Sequence, residues 1–308
     1  MRILIAYDGS THAEAAIDDL HRAGFAREIE AKIVTVAHGG WPHAKHPNPE
    51  DGTFGNPWKA TMEEAEALAE KGRGRVQSEF PGWNVTNETL WGDPGKMLLK
   101  TVEVWRPDVL VVGSHGRSAA GRMLLGSVAM ELIHHAACSV RVIRLPKKQK
   151  TGPVRIILAT DGSEYTEAIV HHIVRRSWPS GTEARVVAVL ETLVPTAPAL
   201  LPALEGQTFA KEPAYSIIEA SDEQERIRLG QVTEAAADRL QAAGLTVSAT
   251  VIDGDPKHEI LAEAERWHAD AVFVGARGLG AIDRLLLGSV STALVTHAPF
   301  GVEVVRHA

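Results

Sequence analysis

GSHGRSAAGRMLLGS, from Gly113 to Ser127, and GARGLGAIDRLLLGS, from Gly275 to Ser289, set out one glycine pattern twice. In each, two residues follow the first glycine, then a second glycine, nine further residues and a Gly-Ser pair, and an offset of 162 residues relates the copies at both ends. An apolar run closes on the first glycine of each copy, DVLVVG at Gly113 and DAVFVG at Gly275, and each Gly-Ser pair opens a segment of helical composition. Free amides at a helix start hold anions, so the spacing predicts two phosphate-binding turns.

The rest of the chain is written twice as well. MRILIAYDGSTHAEAAI is answered by VRIILATDGSEYTEAIV, setting Asp8 against Asp161 at an offset of 153, and LWGDPGKMLLKTV is answered by VIDGDPKHEILAEA, setting Gly92 against Gly254 at 162. The larger second offset places a net insertion between Asp161 and Gly254. CSVRVIRLP and FGVEVVRHA close the two copies.

The 308 residues divide into halves of about 150, a usual domain size. We place the first domain at 1–146, a linker at 147–153 within the polar, proline-closed stretch PKKQKTGP, and the second domain at 154–308. A formal charge of -7 without a basic arm argues against nucleic acid as partner, and the basic residues from Arg141 to Arg155 read as a solvated linker flank. One cysteine, Cys138, excludes an intrachain disulfide framework and suits a reducing compartment. With no apolar run of membrane-span length, the expectation is a cytoplasmic protein without membrane contact.

Short apolar runs alternate with helical periodicity, the mark of a parallel sheet covered by helices. The first half predicts strands near 2–7, 31–37, 85–90, 108–113 and 140–144, with helices at 11–24, 60–79, 95–105 and 128–136. The second predicts strands near 154–160, 184–190, 246–252, 270–275 and 302–306. Ligands bind such sheets beyond the carboxyl ends of the strands, where strand order reverses; Asp8, Val36 and Gly113 fall on that edge, as do Asp161, Val189 and Gly275. The last runs, Val140 to Ile143 and Val302 to Val305, are edge candidates whose mutual pairing would join the halves about a pseudo-twofold axis.

Glycine permits close approach of main chain to a polyphosphate. Gly113 and Gly116 would form one wall of the cradle, and Gly126, the Ser127 hydroxyl and the amides of Ser127 and Val128 the other. The competing reading makes Gly113 a strand end, Gly116 a turn and Ser127 a helix N-cap. Two copies with full spacing, each after a strand and before a helix, favour the phosphate reading.

G-x2-G-x9-G-[ST], preceded by a strand ending in Asp-Gly-Ser and followed by a short last strand, resembles the ATP-binding branch of the universal stress protein family in tandem form. The resemblance covers nearly the whole chain. It implies an α/β fold of two tandem, doubly wound, parallel five-stranded sheets with helices on both faces, and adenine nucleotide binding, ATP with Mg2+ or Mn2+, at up to two sites. By position it implies that Asp8 and Asp161 touch the ribose or adenine side, beside Ala6 and Ala159, and that the backbone of Val36 and Val189 reads the adenine edge. It places Gly113, His115, Gly116, Gly126, Ser127 and Val128 on the first phosphate chain, and Gly275, Arg277, Gly278, Gly288, Ser289 and Val290 on the second. For Asp8 and Asp161 a plain helix-capping role stands as the alternative. Arg277 carries a permanent positive charge suited to phosphate where its counterpart is His115, so the sites are expected to differ in affinity.

No P-loop and no G-x-G-x-x-G turn occurs. His38, His43 and His46 offer a metal-site candidate against a reading as solvated loop residues. His134, His135, His171 and His172 read as helix boundary residues, Cys138 as a packed thiol, and Leu124, Leu125, Leu285, Leu286 and Leu287 as helix-to-sheet packing. Trp41 and Trp58, in the loop from Gly39 to Lys59, belong either to a lid over the adenine wall or to a surface anchor. The function expected is a stress-linked nucleotide sensor or regulator, the alternatives being a slow ATPase and a scaffold independent of nucleotide. No catalytic constellation is legible, the partner is an adenine nucleotide, and the tandem chain is free to form a homo-oligomer.

Overall fold

Strands and helices alternate throughout a computed structural model that describes residues 1–39, 57–117, 125–145, 152–191, 211–278 and 287–306. The first half runs β1 (Arg2–Ala6), α1 (Thr11–Asp19), β2 (Glu30–Ala37), α2 (Pro57–Glu79), β3 (Asn84–Trp91), α3 (Pro94–Trp105), β4 (Val109–Gly113), α4 (Ser127–His135) and β5 (Ser139–Ile143). The second runs β6 (Arg155–Thr160), α5 (Tyr165–Val174), β7 (Glu183–Leu190), α6 (Lys211–Ala242), β8 (Thr246–Asp253), α7 (Pro256–Arg266), β9 (Ala271–Gly275), α8 (Ser289–His297) and β10 (Gly301–Val305).

Local chemistry sets these boundaries. β4 and β9, VLVVG and AVFVG, are buried along their whole length, as continuous apolar runs must be when helices cover both faces. The repeated Gly-Asp-Pro triplet turns strand into helix. Gly92 and Gly254 take φ of 142° and 138°, which favours glycine, and the Asp93 and Asp255 carboxylates accept the amides of Lys96 and Lys257 at 3.0 and 2.8 Å. α2 and α6 begin at Pro57 and Lys211, the first three residues before the predicted start at 60, and Pro57 and Pro213 are accepted in the first helical turns, where a missing N–H breaks no bond. The linker core 146–151, Trp41, His43, His46, Leu124, Leu285, Leu286 and the side chain of Trp58 lie outside the described residues, and with them the lid reading.

Within each half the strands are parallel, in orders β3-β2-β1-β4-β5 and β10-β9-β6-β7-β8. The two five-stranded sheets are not separate. β5 pairs antiparallel with β10, Val142 opposite Val302, Arg141 opposite Glu303 and Val140 opposite Val304, so one ten-stranded sheet crosses the molecule, with the pairing of last strands that the sequence suggests.

Side-chain alternation gives the sheet two different faces. On one, Leu4, Leu110, Val140, Val142, Val302, Val304, Val272 and Ile157 form a single core with α3, α4, α7 and α8 that runs through both halves. On the other, Ile3, Ile5 and Val109 pack under α1 and α2, while Ile156, Leu158 and Phe273 pack under α5 and α6. Arg141 and Glu303 lie between these two cores and are fully buried. The reading of Arg141 as part of a solvated flank is therefore wrong, because its guanidinium is paired inside the sheet junction. His172 lies at the edge of this core, as its helix position suggests, with its Nε2 2.5 Å from Glu303 Oε1.

Candidate functional site

Strand order reverses between β1 and β4, and the glycine turn comes to lie there. After β1 the chain turns through Asp8-Gly9-Ser10. Ser10, not Asp8, caps α1, its hydroxyl accepting the Ala13 amide at 3.1 Å. Asp8 Oδ1 accepts the Ser10 amide and Oδ2 the Arg117 amide, both at 3.0 Å, so the carboxylate ties the first-strand turn to the glycine loop. Asp161 Oδ1 accepts the Ser163 amide at 3.0 Å in the same way.

The second wall of the cradle is the start of α4. Gly126, with φ -70° and ψ 150°, occupies the N-cap and supplies no side-chain acceptor, and Gly288 does the same for α8. Ser127 and Ser289 are therefore the first helical residues and not caps. α1, α3 and α7 all have side-chain caps. Among the described residues the N-caps of α4 and α8, like that of α5, give the first-turn amides no side-chain acceptor, and at α4 and α8 the bare helix start faces the glycine loop, where an anion can be held. The Gly126 amide donates to Ser114 O and the Gly288 amide to Ala276 O, each at 2.8 Å, joining the two walls.

In the first half these elements enclose a cleft of about 200 Å³, lined by all nine expected residues: Ala6, Asp8, Val36, Gly113, His115, Gly116, Gly126, Ser127 and Val128. Sequence reading passes over Val34, Pro94, Leu98 and Arg117, which line it too, and His38, read there as a metal-site candidate or a solvated loop residue, belongs to the same lining. Arg117 stands inside the glycine motif, and Pro94 and Leu98 belong to the repeated Gly-Asp-Pro segment, so repetition was the available signal for them. Gly113 is held by packing as well, because a Cβ there would stand 2.7 Å from the backbone of His12. The His12 and His115 rings lie 4.9 Å apart, and Ser114 Oγ is 3.0 Å from His115 Nδ1. Burial, and then the neighbouring His115, hold His12 below the usual imidazole range.

The second cleft is smaller, about 70 Å³. Ala159, Asp161, Val189, Gly275, Arg277, Gly278 and Val290 line it, whereas Gly288 and Ser289 do not. Tyr165 and Thr166 stand where the first half has His12 and Ala13, and both side chains enter the lining. Thr166 Oγ1 is 2.5 Å from Thr160 Oγ1, a contact Ala13 cannot make. Arg277 Nε is buried without an acceptor among the described residues.

The sequence profile of the Universal stress protein family matches residues 1–144 and again 154–306. The chain belongs to the universal stress protein family. Universal stress protein Rv2005c of Mycobacterium tuberculosis is 25% identical over 313 residues, spanning 99% of this chain and 96% of that protein. Universal stress protein MJ0531 of Methanocaldococcus jannaschii is 27% identical over 161 residues, 48% of this chain and 84% of its own length. Among solved structures, a universal stress protein from Archaeoglobus fulgidus superposes with a TM-score of 0.60 at 18% identity, covering 100% of this chain and 96% of that one. PA1789 of Pseudomonas aeruginosa, described as functionally unknown, superposes at 0.57 with 13% identity, over 99% and 92% of the two chains. At such identities the superpositions establish the universal stress protein fold alone. No helix among the described residues is long and apolar enough to cross a membrane.

Proposed function

We propose that the protein binds ATP in the first cleft and acts as a nucleotide sensor or regulator within the universal stress protein family. One observation carries this reading: a glycine-capped helix with bare first-turn amides faces a glycine loop pinned by a carboxylate, over a cleft of about 200 Å³. A Cβ on Gly116 would meet nothing within 4 Å but Asp8 Oδ2, so the main chain there is open to a ligand. In this arrangement the Ser127 and Val128 amides, the Ser127 hydroxyl and Gly116 hold the phosphates, with His115 alongside. Asp8 accepts ribose hydroxyls beside Ala6, and adenine lies against Val36. Mg2+ or Mn2+ would accompany the phosphates. The second cleft, narrowed by Tyr165 and Thr166, binds more weakly despite Arg277.

The test is to denature purified protein, identify any released nucleotide, and then follow added ATP. Retained or tightly bound ATP without turnover supports the sensor. Sustained ADP production replaces it with an ATPase, and neither nucleotide nor affinity leaves a scaffold.

A further inference from the structure

We propose that the residues on the pseudo-twofold axis choose which half pairs with which, so that the β5 face of the first half accepts the second half and refuses a copy of itself. In the β5–β10 ladder, Val140 and Val142 each face the counterpart of the other, whereas Arg141 faces Glu303, its own counterpart at the offset of 162. This is the place in the ladder where pairing of like halves would set a residue against itself. Arg141 Nη1 donates to Glu303 Oε2 at 2.8 Å, and both side chains are essentially inaccessible, at 1% and 0% exposure. A pair of first halves would turn two buried guanidiniums on each other, and a pair of second halves two carboxylates. Each sets like charges against each other in a buried place, with only Asp19, or His172 and Arg176, of the same half to offset them.

A second contact, in the helices above, repeats the rule in shape. Arg176 Nη1 donates at 2.7 Å to the carbonyl of Ala23, its own counterpart at the offset of 153. The Ser177 amide donates at 2.8 Å to Gly24 O, again its counterpart, and Trp178 packs so closely on Gly24 that a Cβ there would lie 2.6 Å from the indole. Large residues of the second half thus occupy room left by Ala23 and Gly24 of the first. Paired second halves would set Arg176 against Arg176. Paired first halves would leave that room empty.

The surrounding charges are inverted in the same sense. Asp19 of α1 holds Arg141 Nε at 2.6 Å, whereas His172, at the matching place in α5, and Arg176 contact Glu303 Oε1. The opposite sheet face, with Val140, Val142, Val302 and Val304, is apolar in both halves and discriminates nothing.

The experiment uses full-length chains with about twenty Gly-Ser residues inserted in the 146–151 stretch, so that reach does not limit exchange. The wild-type chain with this insert, Arg141→Glu, Glu303→Arg and the double variant are each refolded alone, and the two single variants are also refolded together. We expect one-chain particles from wild type and the double variant, melting temperatures roughly 10 °C lower for each single variant, and partial recovery in the double, whose pair is matched across the seam while Asp19 and Arg176 keep their signs. The mixture of single variants should form a two-chain particle in 1:1 ratio, because each seam is matched only across chains. If a single variant does not fold alone, the mixture and the double variant still decide. A mixture that contains no two-chain particle, or a double variant that melts no higher than the weaker single, overturns the proposal.

Discussion

Replacing Gly116 tests the first cleft with a perturbation whose size the structure sets. A Cβ at this position would stand 2.9 Å from Asp8 Oδ2, too close for a carbon and an oxygen that do not bond, and nothing else lies within 4 Å. Gly116 is not among the residues of positive φ, so alanine or valine incurs no backbone penalty and the fold should survive. The strain is relieved by moving the Asp8 carboxylate, which breaks its bond to the Arg117 amide. One such bond to a carboxylate is worth about 1.5–3 kcal/mol of stability, a melting shift of roughly 3–12 °C for a protein of this size. Binding suffers as well. A displaced Asp8 forfeits a charge-assisted hydrogen bond to ribose worth about 1.5–3 kcal/mol, which is roughly a 10- to 150-fold rise in Kd for Gly116→Ala. Gly116→Val adds bulk on the phosphate side and should abolish measurable binding. In the second cleft the same Cβ would lie 2.2 Å from Asp161 Oδ2, so Gly278→Val disturbs its carboxylate further, and the double variant should show no ATP binding at all. Titration calorimetry with ATP, beside thermal melts, measures both effects. A folded Gly116→Val, Gly278→Val protein that binds ATP with wild-type affinity would refute the assignment of the cradle.

Three other outcomes are expected. Tyr165→Ala should enlarge the second cleft and raise calorimetric ATP stoichiometry from one toward two; an unchanged stoichiometry means that Tyr165 does not limit that cleft. Acidification should destabilise the protein in two stages: burial and then Arg176 hold His172 below 6.5, so the unfolded chain protonates first and stability falls as pH drops below that value. Burial alone would raise Glu303, but Arg176, His172 and Arg141 outweigh it and hold the carboxyl far below 4.5, which adds a second loss beneath that pH; melting temperatures that stay level from pH 7 to 4 contradict this. Burial pushes the Cys138 thiol up to about 12, so alkylation at pH 8 should run roughly a thousandfold slower in the native than in the denatured protein, and comparable rates would show an accessible thiolate.

Repetition made much of this molecule legible. Two glycine motifs at a fixed spacing located both turns, and apolar runs such as DVLVVG and DAVFVG marked the central strands because strands covered on both faces need little polar alternation. Adjacency in space was less accessible. Arg141 reads as one more basic residue near a polar linker, and only the antiparallel ladder reveals Glu303 opposite it. Tyr165 opens a helix in sequence, yet a Cβ on Gly275 would stand 2.7 Å from its Cβ, a consequence of how α5 docks on β9. Ser127 passes for an N-cap by residue type, the geometry assigning that role to Gly126. Arg117 was in plain view within the motif, but its amide bond to Asp8 depends on a turn 109 positions earlier in the chain.

The antiparallel junction of β5 and β10 also decides which way the molecule faces. Because each half is parallel within itself, the carboxyl ends of the first five strands and of the last five point to opposite rims of the sheet. The two clefts therefore open in opposite directions, separated by the full length of the strands. Any surface laid over one mouth leaves the other in solvent, and one ligand cannot bridge them. Occupancy of the two halves is presented to two different surroundings, and the protein has no single front.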